Sequence, residues 1–174
     1  MGDLTVEQPV IRFRVVPDAA TGGGELRYLA DELAFSTDIR DERAQFSVMV
    51  NRIELWIEPQ HMQVLYVGGY CPHKSWRTRE LLIPRASKGG LFLEAVLAWQ
   101  PGIAFALNEA ASDLWPVTVD LGSGWVCIGE PSSQHSSHVA FAPGASAYLD
   151  EGVLRALWLH PATLPSGLTK ARLI

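Results

Sequence analysis

Arginine alternates with apolar residues along Val10-Ile11-Arg12-Phe13-Arg14-Val15-Val16, and the pattern stops at Pro17-Asp18. A period of two puts both arginines on one face, so this stretch predicts a half-exposed β-strand. Thr21-Gly22-Gly23-Gly24 then reads as a flexible loop. Leu26, Leu29 and Leu33 recur at helical spacing, and the pattern predicts a short amphipathic helix over residues 25–35, although Tyr28 and Phe35 also fit a strand.

The clearest periodicity begins at Gln45. Phe46 to Val50, Arg52 to Glu58 and Met62 to Tyr70 are three β-rich runs, and Pro59 sits at the second position of a turn between the last two. They predict an antiparallel meander. Its second and third runs are apolar on both sides, with Ile53, Leu55 and Ile57 opposed to Trp56, and Val64 and Tyr66 opposed to Leu65 and Val67. Strands of that kind are covered on both faces, as in a sandwich, a barrel or a sheet with helices over it.

Further along, Leu91, Phe92, Ala95, Val96 and Trp99 share one helical face, ended by Pro101-Gly102, and predict a second helix. Residues 103–107, 116–121, 125–128 and 139–142 are short β-type runs punctuated by glycine, proline and serine. Ala147-Tyr148-Leu149 and the run from Val153 to His160 read as a hairpin, with Gly152 taking the left-handed position of a three-residue loop. This hairpin echoes the central one. Trp56-Ile57-Glu58 matches Tyr148-Leu149-Asp150, Val64 to Val67 matches Ala156 to Leu159, and two such hairpins can pack about a pseudo-twofold axis. The expected fold is therefore mainly β, an antiparallel meander and hairpins forming a sandwich- or barrel-like domain with one or two short helices, in a single domain over residues 1–174.

Composition narrows the function classes. The chain has 174 residues, 48% of them hydrophobic, with six tryptophans and a net charge of −5. That apolar content excludes a disordered chain, and the acidic balance argues against a general nucleic-acid binder. No apolar run approaches the ~20 residues needed to span a bilayer. The first ten residues carry acids and no apolar core of an export signal, and two cysteines are too few for a secreted disulfide scaffold, so a soluble cytoplasmic protein is expected. The aromatic content also suits a homodimer contact.

Charge is uneven along the chain. Residues 1–58 carry eleven acids against six bases, residues 59–90 one against five, and residues 91–174 seven against three. The middle segment is a cationic island of Lys74, Trp76, Arg77, Arg79, Arg85 and Lys88, with Tyr70 upstream. Arginines beside an indole can clamp a carboxylate or phosphate while the ring stacks on a planar portion of the ligand.

Two further constellations carry possible chemistry. Cys71 and His73, taken with His135 and His138, offer the thiolate and imidazole ligands that zinc prefers, although their spacing departs from the usual structural-zinc patterns. Alternatively Cys71, with Lys74, Arg77 and Arg79 nearby, could act as a thiolate nucleophile, whereas Cys127 lies in an apolar strand and reads as core. Gly122-Ser123-Gly124 is a turn rather than a nucleophile elbow, and no phosphate-binding glycine motif occurs. The sequence thus points to a non-enzymatic binding or protein-interaction module that needs no cofactor. Its contact surface lies at residues 71–88 around Tyr70, Lys74, Trp76, Arg77 and Arg79, and its partner is a small anionic molecule or a protein. The alternative is a zinc-dependent, hydrolase-like enzyme built on Cys71, His73, His135 and His138, with Glu130 or Asp120 as general base.

Overall fold

The computed structural model describes residues 10–95, 97–108, 114–131 and 137–168. Its strands are β1 (Phe13–Pro17), β2 (Leu26–Leu29), β3 (Ala34–Thr37), β4 (Phe46–Val50), β5 (Ile53–Glu58), β6 (Gln63–Tyr70), β7 (Arg77–Thr78), β8 (Ser87–Leu93), β9 (Ala104–Ala106), β10 (Val117–Val119), β11 (Val126–Gly129), β12 (Ser137–Ala142), β13 (Ala145–Asp150) and β14 (Val153–Leu159). They form one continuous, strongly curled half-barrel sheet. The mainly β, barrel-like expectation holds, and no helix among the described residues is long and apolar enough to cross a membrane.

Neither expected helix forms. Residues 26–37 make a β-hairpin in which Leu26, Tyr28, Phe35 and Thr37 point inward. Its turn is closed by hydrogen bonds from Glu32 N–H to the Leu29 carbonyl and from Leu33 N–H to the Ala30 carbonyl, with Leu33 at φ 54°. The helical spacing of Leu29 and Leu33 reflects that local turn, while the Tyr28 and Phe35 rings, 5.1 Å apart, set the strand register. In the second segment β8 continues to Leu93, burying Leu91 and Leu93. Ala95, Leu97 and Trp99 then pack against the core at every second position, a period of two rather than 3.6. Val96, part of the expected helical face, lies outside the described residues. The one helical piece among the described residues is a 3₁₀ turn at His73–Ser75.

Two halves of the chain share one topology. In the first, the spatial order is β2-β3-β6-β5-β4; in the second it is β10-β11-β14-β13-β12, and every neighbouring pair is antiparallel. Taken in chain order, both read first, second, fifth, fourth, third. Their central hairpins carry a register irregularity at matching places, between Trp56 and Ile57 and between Tyr148 and Leu149. The halves meet where Phe13 of β1 faces Leu93 of β8. From there Phe13 N–H donates to the Gly152 carbonyl at one hairpin tip, and Leu93 N–H donates to the Met62 carbonyl at the other. Reciprocal bonds of this kind are what a pseudo-twofold axis requires.

The echo seen in the sequence is therefore a structural one, with two refinements. Leu55 pairs with Val67 and Ala147 pairs with Leu157, so Val67 corresponds to Leu157 and the second strand of the echo slides by two residues. Asp150 pairs directly with Val153, leaving a two-residue loop with Glu151 and Gly152 both at positive φ, a type I′ geometry rather than a three-residue loop. Inward side chains from both halves, among them Phe13, Phe46, Leu55, Leu91, Phe141 and Leu157, form the main core. A second, smaller core lies on the opposite face of the second half, where Leu81 and Ile83 cover Cys127, Ala156 and Trp158.

Candidate functional site

The cationic island loses its indole to the core. Trp76, expected to stack on a ligand, is 5% exposed and packs between Tyr28 and Phe35, with ring centroids 4.8 and 5.7 Å away. Its large apolar area is worth more inside than the island's charge could gain from it outside. Tyr70 is exposed at the end of β6, with the Arg52 guanidinium 5.7 Å from its ring. Lys74 is exposed within the 3₁₀ turn, and Arg77 is exposed on β7, which pairs in parallel with β10.

Arg79 continues from β7 into an open cleft of about 580 Å³ that also receives Glu80, Asp120 and Ser123. Asp120 accepts backbone N–H bonds from Leu81 at 3.0 Å, Gly122 at 2.8 Å and Ser123 at 3.3 Å. Those donors, Leu81 first, hold its carboxyl below the usual carboxylate range. Two carboxylates opposite one arginine leave this cleft without a preference for anions, and Asp120 is occupied in fixing the chain rather than poised as a base.

Of the four proposed zinc ligands, three lie among the described residues. Cys71 is buried at the end of β6, its N–H donating to the Leu33 carbonyl. Burial pushes its thiol up to about 11, with Trp76 opposing the shift. His73 Nδ1 lies 3.2 Å from the Tyr28 hydroxyl, which itself donates to the Cys71 carbonyl at 2.7 Å. His138 stands on β12 with its ring stacked on Tyr148 at 4.8 Å. His135 lies outside the described residues, and among those described no three His, Cys, Asp or Glu side chains converge as a metal site. Cys127 is fully buried, and burial raises its thiol to about 12. Both thiols are protonated at neutral pH, so neither carries the thiolate that nucleophilic attack needs. Glu130 borders a separate cleft with Trp115 and Arg155.

A third cleft has a different balance of charge. It is about 400 Å³, lies at the seam where β8 joins the two halves, and is lined by Arg85, Ser87, Lys88 and His138 over a wall of Val15, Pro17 and Val139. No acidic side chain lines it among the described residues. The parallel pairing of β8 with β12, Ser87 to Val139 and Lys88 to Ala140, brings Lys88 and His138 together from fifty residues apart. In the sequence Arg85 and Lys88 belong to the cationic island, whereas His138 belongs to the candidate zinc set. Only the non-local strand pairing unites them. The tryptophans expected to seal a dimer contact are none of them exposed: Trp76 and Trp158 are buried, and Trp56, Trp99, Trp115 and Trp125 are half-buried. No protein-family model matches the chain, and no curated protein is similar to it in sequence.

Proposed function

We propose that the protein is a cytoplasmic, non-enzymatic binding module that holds a small anionic molecule in the seam cleft of Arg85, Lys88 and His138. The observation that carries this reading is a concave site with three basic groups and, among the described residues, no lining acid, in a chain whose overall charge is negative. A cleft of one sign focuses its field and raises the local concentration of the opposite charge. Two guanidinium or ammonium groups beside an imidazole give a carboxylate or phosphate several donors, and Val15, Pro17 and Val139 supply an apolar wall. The two unpaired thiols, Cys71 and Cys127, accord with a reducing compartment.

Binding is tested by titrating citrate and inorganic pyrophosphate against the melting temperature and against histidine resonances. Both anions are expected to stabilise the protein and to shift the His138 signals, less so as salt rises. The double reversal Arg85→Glu with Lys88→Glu removes the effect, whereas Arg77→Glu with Arg79→Glu leaves it. An anion response that survives the first pair, or vanishes only with the second, overturns the assignment to the seam.

A further inference from the structure

The two halves agree in backbone and differ on their outward faces. In the second half Trp158 stands opposite Ser146 and Cys127, and the chain at Leu81 and Ile83 closes over it. In the first half the position of Trp158 is taken by Gly68, opposite Glu54. The same register, anchored by Phe35 against Gly69 and by Val126 against Leu159, puts Ser36 where the second half has Cys127 and Ala34 where it has Trp125. Three larger side chains on one face are thus replaced by glycine, serine and alanine on the other. The result is a cavity of about 300 Å³ with Gly68, Ser36 and Ala34 among its lining.

The rest of the lining is not apolar filler. Trp56 and Tyr66 stack on one another at 6.0 Å and 18°, forming an aromatic wall, and Glu32, Arg40 and Glu54 reach the cavity from around it. Glu54 Oε1 accepts the Ser47 hydroxyl at 3.1 Å, which fixes the carboxylate beside the wall. Burial pushes the Tyr66 hydroxyl up, Arg40 opposes it, and Glu54 and Asp41 add to it. A flat aromatic surface bordered by carboxylates, a guanidinium and a serine hydroxyl fits a ring that has an apolar face and a rim of hydroxyls. Such a ring places its C–H face on the aromatics and donates its hydroxyl protons to the carboxylates while accepting from arginine. The volume lies at the lower end of small-molecule sites, roughly 300–1,000 Å³. We infer that the outward face of the first half, carved out by Gly68 where its twin carries Trp158, is a binding site for a neutral monosaccharide-sized polyol ring.

The twin half supplies the test. Gly68 is outside the positive-φ region, and a Cβ there would approach nothing closer than the Phe35 carbonyl oxygen at 3.4 Å, so a side chain can be added without backbone strain. Glucose, galactose, mannose and N-acetylglucosamine are titrated singly against tryptophan fluorescence and saturation-transfer NMR. At least one is expected to bind and to perturb the indole signal. Gly68→Trp, which restores the filling seen in the second half, weakens that binding at least about tenfold while far-ultraviolet circular dichroism is unchanged. Should Gly68→Trp fail to fold, Trp56→Ala replaces it and is expected to weaken binding to a similar degree. The charge reversals at Arg85 and Lys88 leave sugar binding intact, separating this site from the seam. The inference is overturned by a panel in which no sugar binds, or by sugar binding that persists in Gly68→Trp or in a folded Trp56→Ala.

Discussion

Trp158 offers a quantitative test of how the smaller core is built. It is fully buried, with Leu81 packed over it, and its Nε1 donates to no acceptor among the described residues. The nearest aromatic partner, Trp125, has its ring centroid 6.5 Å away, which gives at most a weak contact for that N–H. Two terms therefore oppose one another at this side chain. Burying an indole removes roughly 150–250 Å² from water, worth about 4–6 kcal/mol at 25 cal/mol per Å². Leaving a buried donor unmatched costs about 1–3 kcal/mol.

The two terms separate in two variants. Trp158→Ala loses the packing, for which measured Trp-to-Ala costs run about 3–5 kcal/mol; it also removes the unmatched donor, worth about 1–3 kcal/mol, so a net loss centred on about 2 kcal/mol is expected. Trp158→Phe keeps most of the ring, gives up about 1–2 kcal/mol of burial and sheds the same donor, so its stability stays within about 1 kcal/mol of the parent. Urea unfolding followed by circular dichroism measures both, with equal slopes required for the comparison. In a chain of this size the alanine variant should melt about 4–8 °C lower, and the phenylalanine variant within a few degrees of the parent. If Trp158→Phe costs as much as Trp158→Ala, the donor is satisfied and this account of the smaller core is wrong.

Adjacent glycines should respond in opposite ways. Gly69 has φ 138° and a Cβ there would collide with the Arg52 carbonyl oxygen, so Gly69→Ala is expected to cost at least about 2 kcal/mol, while Gly68→Ala stays within about 0.5 kcal/mol; urea midpoints check both. Cys71 and Cys127, raised to about 11 and 12 from 9.0, should react with a thiol reagent at pH 8 only as fast as the chain opens, and rapid labelling of either in the folded state would contradict their burial. Because both folded values lie above the unfolded one, their stabilising effect is present below pH 9 and is lost as pH rises from there towards 11 and 12, which alkaline unfolding curves of Cys71→Ala and Cys127→Ala would reveal as a reduced dependence. Asp120 has the opposite sign: its lowered folded pKa contributes stability above its usual 3.8 that is lost as pH falls through the folded value. Asp120→Ala should cost about 1–3 kcal/mol at neutral pH and flatten acid unfolding, and an unchanged acid limb would show that the Leu81 anchor carries no charge.

What the sequence revealed follows the reach of each interaction. The meander from Phe46 to Tyr70 was legible because β4, β5 and β6 are neighbours in chain and in space, joined by turns whose residues announce them. The last hairpin was legible for the same reason. Residues 26–37 misled because four residues of turn and two short strands also satisfy a helical spacing, and only the packing of Tyr28 on Phe35 and Trp76 decides between them. The island was legible only in part. Its charges were counted correctly, but a tryptophan among arginines carries no local mark of which way its strand will turn, and Trp76 turned inward. The seam cleft depends on a parallel pairing between β8 and β12, which leaves no trace in either segment alone.

The shared topology of the two halves also bears on where function can reside. Inward positions of the two halves differ in identity but play the same part, since Leu55 with Val67 and Ala147 with Leu157 each fill one layer of the same core, and variation there is limited by volume. Outward positions have no such shared limit. One half uses its outward face to bury Trp158 beneath Leu81, which ties the linking segment to the sheet and fixes β7 beside β10. That tie also positions the chain leading into β8, and with it Arg85 and Lys88, at the seam. Among the described residues the other half shows no equivalent duty: the segment following β14 meets β2 through the Ala162 N–H to the Leu26 carbonyl, at the sheet edge. Its outward face is accordingly free to be hollow. The asymmetry between Gly68 and Trp158 thus has a structural cause on one side, and on the other leaves a cavity whose aromatic and charged lining the main core does not require.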